Sequence, residues 1–309
     1  MTEPPIYSVG TQVVVKKETY HGNHRVAHPA GSVGIVVRAP IDRSHAYHIK
    51  FHDGLEASVH HDQIIRLSKF KNDQIRGSGS AVMCGLNERV LYRCVIGSRA
   101  YGLDDDQSDT DRRGFYLPPA DLHWSLYGVP EQLENEETQE AYWEIQKFLV
   151  LALKANPNVL ECLYSPIVEF STPLADELLA MRDVFLSKLV FQTYSGYVAS
   201  QFKKMQTDLR NQGQVKWKHV MHLIRLLISG INVLREGHVI VEVGEDRDRL
   251  LSIKRGAMSF SEADVWRHQL QNEFENAFQR TRLPERPDYE RVNAYLIHAR
   301  RLAMQKELP

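Results

Sequence analysis

Cysteine, long hydrophobic runs and an excess of charge of one sign are all scarce in this chain. Only three of its 309 residues are cysteine, Cys84, Cys94 and Cys162. Their wide spacing argues against a disulfide framework and against a zinc knuckle, so we expect buried free thiols. The formal net charge of -1 gives no general reason to bind nucleic acid, although a local basic face is compatible with it.

No segment has the features of a signal peptide or a membrane span. The N-terminus MTEPPIYSVG lacks a basic region followed by an apolar one, and apolar stretches such as FLVLALKA are far too short to cross a bilayer. Hydrophobic residues make up 43% of the chain, an ordinary share for a globular protein with a real core. We expect a soluble, cytoplasmic protein with no membrane partner.

Residues 1–75 are predicted to form a small antiparallel β-barrel. Short segments rich in Val, Ile and aromatic residues alternate with turn residues, as in GSVGIVVRA, AYHIKFHDG and EASVHHDQIIRL. The pattern resembles KOW and SH3-like barrels, which bind RNA, DNA or protein. Eight of the 14 histidines fall here: His21, His24, His28, His45, His48, His52, His60 and His61. Their spacing fits no zinc motif and favours a polar barrel surface, with a metal site as the alternative.

A polar linker, KNDQIRGSGS, separates this region from a second pattern. RVLYRCVIG and DRRGFYLPP are predicted strands, and YWEIQKFLVLALKA is a predicted amphipathic helix. Farther along, Thr172-Pro173 and Ser259-x-x-Glu262 are typical of helix starts. We therefore predict an α+β fold: the barrel, a core with a mixed sheet over 80–170, and a helical C-terminal domain over 171–309.

Asp109 and Asp111 stand one residue apart at the start of the second predicted strand. On a strand both carboxylates would face the same side, and they would repel each other unless a cation lay between them. Mg²⁺ prefers carboxylate oxygens and substrate phosphates, and two such ions about 4 Å apart can align an attacking and a leaving oxygen. The pair therefore predicts a metal site, with a solvated turn as the alternative.

Gly97 and Ser98 end the first predicted strand. A glycine there allows backbone N–H groups to approach an anion, and a helix that begins at Ser98 would direct its first amides toward a phosphate. Together with the aspartate pair, this turn predicts phosphoryl or nucleotidyl transfer from a triphosphate. The intervening run of Asp104, Asp105 and Asp106 is predicted to be a solvated loop, with one of the three assisting a metal as the alternative.

These residues carry a resemblance to a known family. The segments IGSRAYGLDDDQSDTDRRGFYLPP, KFLVLALKANPNVLECLYSP, KHVMHLIRLL and LPERPD resemble, in this order, the polymerase-beta-type nucleotidyltransferases. The most similar group is that of predicted nucleotidyltransferases associated with RNA repair genes and found in phages. The resemblance covers roughly residues 84–290, outside the barrel, and implies a polymerase-beta-like core.

The resemblance implies a role for each matched residue. Gly97 and Ser98 correspond to the pair that holds the triphosphate, and Asp109 and Asp111 to the two metal-binding aspartates. Two Mg²⁺ (or Mn²⁺) ions and a nucleoside triphosphate (NTP) substrate are therefore expected.

The family generally adds a third carboxylate from a neighbouring strand, which binds metal and helps to deprotonate the attacking hydroxyl. Glu140 is the candidate in this chain, with Glu137 as the second choice. Gln139 stands where the family's acid is expected, just before the helix.

A polar stripe follows the helix KWKHVMHLIRLLISGINVLREG. Lys218, His222, Arg225 and Ser229 recur at helical spacing beside the apolar face. The stripe is predicted either to be the solvated edge of a buried helix or to line the cleft. In the second case Lys218, His222 and Arg225 would hold phosphate or the acceptor strand, since Arg suits phosphate.

Three further arginines lie close to the motif. Arg99 follows the Gly-Ser pair and is expected to reach the triphosphate. Of Arg112 and Arg113, strand alternation predicts that one points away from the aspartates.

The predicted reaction is transfer of a nucleoside monophosphate from an NTP to a hydroxyl, with release of pyrophosphate. The expected acceptor is an RNA end, such as a tRNA-like end, because the resemblance points to it. One alternative is a protein hydroxyl, as in adenylylating toxins of the superfamily. Another is a catalytically inactive module that binds nucleotide or RNA.

Overall fold

The computed structural model describes residues 6–21, 25–40, 42, 45–71, 85–105, 108–135, 137–212 and 215–305. The chain forms two compact units, Met1–Met83 and Cys84–Pro309. Residues 72–84, with most of the predicted linker and Cys84, lie outside the described part.

The first unit contains a five-stranded sheet in the order β6-β5-β4-β1-β7 and a separate β2–β3 hairpin. All pairs of neighbouring strands are antiparallel. Tyr47, Ile49 and Phe51 alternate into the core along β5, which is the period of a half-buried strand. This antiparallel sheet is consistent with the predicted small barrel. The strands are β1 Gln12–Val15, β2 Thr19–His21, β3 Arg25–His28, β4 Val33–Arg38, β5 Tyr47–Phe51, β6 Glu56–Val59 and β7 Ile64–Arg66.

The histidines described in this unit make hydrogen bonds and stacking contacts. His28 is buried, stacks on Phe51 with ring centroids 3.7 Å apart and lies 2.9 Å from an Asp53 carboxylate oxygen. His61 Nδ1 lies 3.0 Å from the Tyr47 hydroxyl. Among the described residues no group of three or more potential ligands could hold a metal ion, and His24 lies outside the described residues.

The second unit is built on a mixed sheet in the order β10-β11-β9-β8-β12. β11 and β9 are parallel, and the other neighbours are antiparallel. The mixed sheet and the helices that follow it confirm the predicted α+β fold. The strands are β8 Val90–Ile96, β9 Asp111–Tyr116, β10 Gln132–Asn135, β11 Glu140–Glu144 and β12 Val168–Ser171.

Helices make up most of the described chain beyond residue 171. Among the described residues, no helix combines the length and the apolar character needed to cross a membrane. The α-helices are α1 Ser98–Tyr101, α2 Ala120–Trp124, α3 Ile145–Leu153, α4 Pro157–Leu163, α5 Pro173–Ala180, α6 Leu189–Gln212, α7 Trp217–Glu236, α8 Arg247–Lys254, α9 Phe260–Arg280 and α10 Tyr289–Met304. Short 3-10 turns cover His61–Gln63, Leu86–Arg89, Arg182–Phe185 and Gly244–Asp246.

Two predicted helix starts are confirmed. The Thr172 side chain accepts a hydrogen bond from the Ala175 amide, and Pro173 takes the first helical position of α5. Ser259 and Glu262 form a reciprocal capping box at the start of α9. Both arrangements satisfy backbone donors that a helix leaves unpaired at its beginning.

One hydrophobic core runs through the second unit, from the sheet to the C-terminal helices. Phe115 on β9 packs against Phe148 on α3, with ring centroids 4.8 Å apart. Cys94 on β8 and Cys162 on α4 are buried free thiols in this core, as predicted. The predicted core over 80–170 and the predicted helical domain over 171–309 therefore share one compact unit. In this unit the C-terminal helices pack in the same hydrophobic core as the sheet.

Candidate active site

The Gly-Ser turn is a single helical turn between two glycines in the left-handed region. Gly97 follows β8 with φ 77°, α1 begins at Ser98 as predicted, and Gly102 ends it with φ 71°. An L side chain is strained at such a φ. The Gly97 carbonyl accepts from the Tyr101 amide at 3.0 Å and the Ser98 carbonyl from the Leu103 amide at 2.8 Å. The turn is therefore short and sharply defined.

Asp111 lies directly beside this turn. It begins β9 and is the register partner of Ile96, the last residue of β8. A Cβ added to Gly97 would stand 2.7 Å from Asp111 Oδ2, a distance that real Cβ atoms essentially never show. The missing side chain of Gly97 thus allows the carboxylate to approach the backbone of the turn.

Asp109 has a different setting from Asp111. β9 begins at Asp111, so Asp109 belongs to the preceding loop, where it is exposed. The prediction that one strand carries both aspartates is therefore wrong for Asp109, and period-two alternation fixes the direction of Asp111 only.

The two arginines that follow Asp111 point to opposite faces of the sheet, as predicted. Arg113 Nη2 lies 3.4 Å from Asp111 Oδ1, and its Nη1 donates to the Gln139 carbonyl at 2.8 Å. Arg112 turns away and donates from Nε to a Glu169 carboxylate oxygen at 2.8 Å. Arg113 therefore supplies positive charge to Asp111, while Arg112 holds β12.

Glu140 lies on the sheet face opposite Asp111. It is the register partner of Arg112, and it raises the pKa of Arg112 together with the larger effect of Glu169. Because neighbouring strands share a face at register partners, Glu140 points with Arg112 and away from Asp111. The expectation that Glu140 supplies the third metal-binding carboxylate has to be corrected for this reason.

The second choice, Glu137, lies in the exposed turn before β11. On β11, Ala141 shares the face of Asp111, because it is the register partner of Arg113. Gln139 belongs to the turn before the strand, with φ 54°.

No cluster of three ligands is found in the described part of the chain. Of the predicted metal-binding carboxylates, Asp109 and Asp111 therefore remain. Asp104 also lies close to the turn, with its Oδ2 4.0 Å from Arg99 Nη1.

The loop between α1 and β9 is held from several sides. Arg99 is exposed and donates from Nη2 to the Ser108 carbonyl at 2.9 Å. Lys254 of α8 donates to Asp105 Oδ2 at 3.0 Å, and Arg247 donates to the Gly102 carbonyl at 2.7 Å. Asp106 lies outside the described residues. Arg99 thus contacts the loop that leads to Asp109, and α8 fixes the position of that loop.

Arg225 does not line an open cleft. It is only 3% exposed and donates from Nη1 to Glu161 Oε1 at 2.6 Å. Its guanidinium lies over the Tyr101 ring, 3.7 Å from the centroid. Ser229, the next member of the predicted stripe, is buried as well. The expectation that Arg225 contacts phosphate is corrected, because its partners are inside the protein.

The N-terminal part of the stripe is accessible. Lys218 is exposed, and His222 is partly buried. Burial, together with the smaller effects of the positive charges of Arg225 and Lys204, lowers the pKa of His222 to about 3. His222 is therefore a neutral imidazole at pH 7 that can donate or accept one hydrogen bond on each nitrogen.

Sequence reasoning missed Glu161. This residue is fully buried on α4 and accepts from the Tyr101 hydroxyl at 2.6 Å as well as from Arg225. The available signal was a single carboxylate inside the apolar run NVLECL. A charge among residues that must be buried requires a partner, but the sequence does not say which cation supplies it.

One curated relative matches part of the chain. An uncharacterized protein of Bacillus subtilis (strain 168), YcgL, is 27% identical over 144 residues, which are 46% of this chain and 55% of that protein. The chain therefore spans about half the length of the relative it matches.

A family model matches a larger part. The model of the RNA repair pathway DNA polymerase beta family matches residues 59–298. This range includes the Gly-Ser turn, both aspartates, the mixed sheet and the helices up to α10. The polymerase-beta-type resemblance is thereby confirmed, and the chain belongs to the RNA repair pathway DNA polymerase beta family.

Proposed function

We propose that this protein transfers a nucleoside monophosphate from an NTP to a hydroxyl on an RNA end, with release of pyrophosphate. The observation that carries this proposal is the approach of the Asp111 carboxylate to Gly97, where a Cβ would stand 2.7 Å from Oδ2. A metal-binding carboxylate and a turn able to accept phosphates are then neighbours. Membership in a polymerase-beta family supports nucleotidyl transfer.

The donor set at the turn fits a hard divalent cation. Asp109 and Asp111 would hold Mg²⁺ or Mn²⁺, which prefer carboxylate oxygens and usually share substrate phosphates. When bound, such an ion neutralises the triphosphate charge and orients it for in-line displacement. Both expected ions would depend on these two aspartates, since the described residues provide no third carboxylate beside them.

The chain's own residues would do the remaining work. The backbone of Gly97 and the hydroxyl of Ser98 would hold the leaving phosphates. Arg99 is exposed and directly follows Ser98, so its guanidinium would reach the outer oxygens of these phosphates. Positioning and charge neutralisation supply most of the rate enhancement in this chemistry. Arg113, 3.4 Å from Asp111 Oδ1, would hold that carboxylate in its orientation beside the turn.

An RNA acceptor is supported by two observations. The matched family is described as belonging to an RNA repair pathway. In addition, Lys204 on α6 and Lys218 on α7 are exposed and both act on the pKa of His222. Their shared positive field would attract a phosphate backbone, and His222 would add a neutral hydrogen bond.

A second candidate function follows from the placement of Glu140. If no third carboxylate completes the site, the protein binds nucleotide or RNA without turnover. This candidate keeps the Gly-Ser turn and the basic residues but assigns them to binding.

Incubation with each labelled NTP, Mg²⁺ and mixed small RNAs tests the two candidates. Label on RNA that depends on Mg²⁺ and is lost with Asp111→Asn supports transfer to RNA. Label on protein would redirect the proposal to a protein acceptor. Binding of a non-hydrolysable NTP analogue with no label on either product would favour the inactive module, and equal labelling by Asp111→Asn would overturn the proposed site.

A further inference from the structure

We propose that Tyr101, Glu161 and Arg225 are positioning residues that hold the Gly-Ser turn in the form that accepts a triphosphate. The inference rests on the proposed function and adds residues that are not expected to touch the substrate. It is carried by one set of contacts in the interior of the second unit.

The three side chains form a closed set of contacts. The Tyr101 hydroxyl donates to Glu161 Oε2 at 2.6 Å, and Arg225 Nη1 donates to Glu161 Oε1 at 2.6 Å. Arg225 also lies over the Tyr101 ring, 3.7 Å from its centroid. Each residue therefore contacts the other two, and the set joins α1, α4 and α7.

The set acts directly on the phosphate-binding turn. Tyr101 is the last residue of α1 and Ser98 is the first. An isolated four-residue helix has no stability of its own, so its orientation has to come from tertiary contacts. The Tyr101 ring and hydroxyl provide such contacts, and the Tyr101 carbonyl accepts from the Val243 amide at 3.1 Å. A shift of Tyr101 would therefore displace Ser98 and Gly97.

Stability alone is a weak explanation for this arrangement. A buried ion pair often contributes no more than well-packed apolar side chains of the same volume. This pair also leaves Arg225 Nε and Arg225 Nη2 without a hydrogen-bond partner in the described part of the chain. Unpaired buried donors are costly. A requirement for one orientation of α1 explains the presence of Glu161, because its two carboxylate oxygens fix Tyr101 and Arg225 at the same time.

Tyr101→Phe tests the inference with the smallest change. It keeps the ring under Arg225 and removes only the hydrogen bond to Glu161. We expect KM for the NTP to rise about tenfold, the change that corresponds to about 1.4 kcal/mol of lost positioning. KM for the RNA acceptor should stay within about twofold of wild type, because the change lies at the triphosphate side.

Tyr194→Phe is the matched control. Tyr194 is also buried, but its hydroxyl interacts with Ser229 and makes no hydrogen bond to α1 among the described residues. It should leave KM for the NTP unchanged. A rise in KM of equal size in both variants, or a lowered melting temperature in Tyr101→Phe with normal KM, would show that the cluster is only structural.

Binding of a non-hydrolysable NTP analogue separates this inference from the proposed reaction. If wild type transfers no label but binds the analogue, and Tyr101→Phe binds it about tenfold more weakly than Tyr194→Phe, positioning holds while the proposed transfer fails. If Tyr101→Phe binds the analogue as wild type does, or if wild type does not bind it, the positioning role is refuted.

Discussion

The carboxylate of Asp111 occupies the space that a side chain on Gly97 would need. A Cβ there would stand 2.7 Å from Oδ2 and 3.5 Å from Cγ of Asp111. The two residues are brought together by the antiparallel pairing of β8 and β9, in which Ile96 and Asp111 are partners. Glycine is therefore required at position 97 for two reasons: the backbone has a φ of 77°, and the Asp111 carboxylate approaches too closely for a Cβ.

Gly97→Ala should abolish binding of the NTP analogue while the protein still folds. The methyl group would push the Asp111 carboxylate away from the turn and strain the backbone, at a cost of about 1 kcal/mol or more in the free energy of unfolding. Urea denaturation measures the stability and calorimetric titration the binding. Gly128→Ala is the control, because Gly128 also has a positive φ but nothing within 4 Å of an added Cβ. Equal loss of binding in both variants would contradict the prediction.

Replacement of Asp111 and replacement of Glu140 should have different effects on label transfer, because the two carboxylates lie on opposite faces of the sheet. Asp111→Asn removes a metal-binding charge at the turn and should lower label transfer by about a hundredfold or more. Glu140 lies with Arg112 on the other face of the sheet. Glu140→Gln should therefore keep the rate of label transfer within about twofold of wild type. Initial rates at saturating NTP measure both. A loss in Glu140→Gln as large as that in Asp111→Asn would restore Glu140 as a metal ligand.

The sequence predicted the parts of this site that depend on neighbours along the chain. The Gly-Ser turn, the helix that begins at Ser98 and the opposite directions of Arg112 and Arg113 follow from local geometry, and the structure contains all three. The mixed sheet was likewise predictable, because strands and helices alternate over 80–170.

The errors concern pairing between distant segments. Glu140 was expected near Asp111 because the family resemblance implies a third carboxylate on a neighbouring strand, but the register of β11 against β9 sets it opposite Arg112. A shift of one residue in that register would reverse the face, and nothing local specifies it. The position of Arg225 depends in the same way on Glu161, 64 residues earlier in the chain. Helical periodicity placed it on a polar stripe but did not show that a buried carboxylate faces it.

His222 should make stability fall as the pH falls below about 6.5. Burial and nearby positive charge lower its pKa in the folded protein to about 3, from 6.5. Between these pH values His222 binds a proton in the unfolded chain but not in the folded chain. Its contribution to the free energy of unfolding is therefore fully present above pH 6.5 and is lost as the pH falls toward 3. His222→Gln should therefore reduce the pH dependence of the free energy of unfolding in this window by up to about 1.4 kcal/mol per pH unit.

Urea unfolding at several pH values between about 4 and 7.5 checks this prediction within the window set by the two pKa values. His268→Gln is the control, since His268 is exposed on α9 and should leave the slope unchanged. An identical slope in wild type and His222→Gln would show that folding does not lower the pKa of His222.

The buried pair of Glu161 and Arg225 should respond differently to single and double replacement. Glu161→Gln leaves the guanidinium of Arg225, 3% exposed, without its counter-charge, and removal of one partner of a buried pair costs about 3 to 5 kcal/mol of unfolding free energy. Glu161→Leu combined with Arg225→Met replaces both charges by apolar groups and should recover most of that stability. Urea denaturation of the three proteins measures the difference.

The same double variant tests whether stability and nucleotide binding are separate properties of this cluster. In this variant the Tyr101 ring would keep apolar surroundings. Its hydroxyl would lose the acceptor that it has in the wild-type protein, Glu161 Oε2 at 2.6 Å. We therefore expect a stable protein that binds the NTP analogue weakly, because the orientation of α1 is no longer fixed. A double variant with full stability and wild-type affinity would show that packing alone orients the turn. A double variant less stable than Glu161→Gln would show that the ion pair itself stabilises the fold.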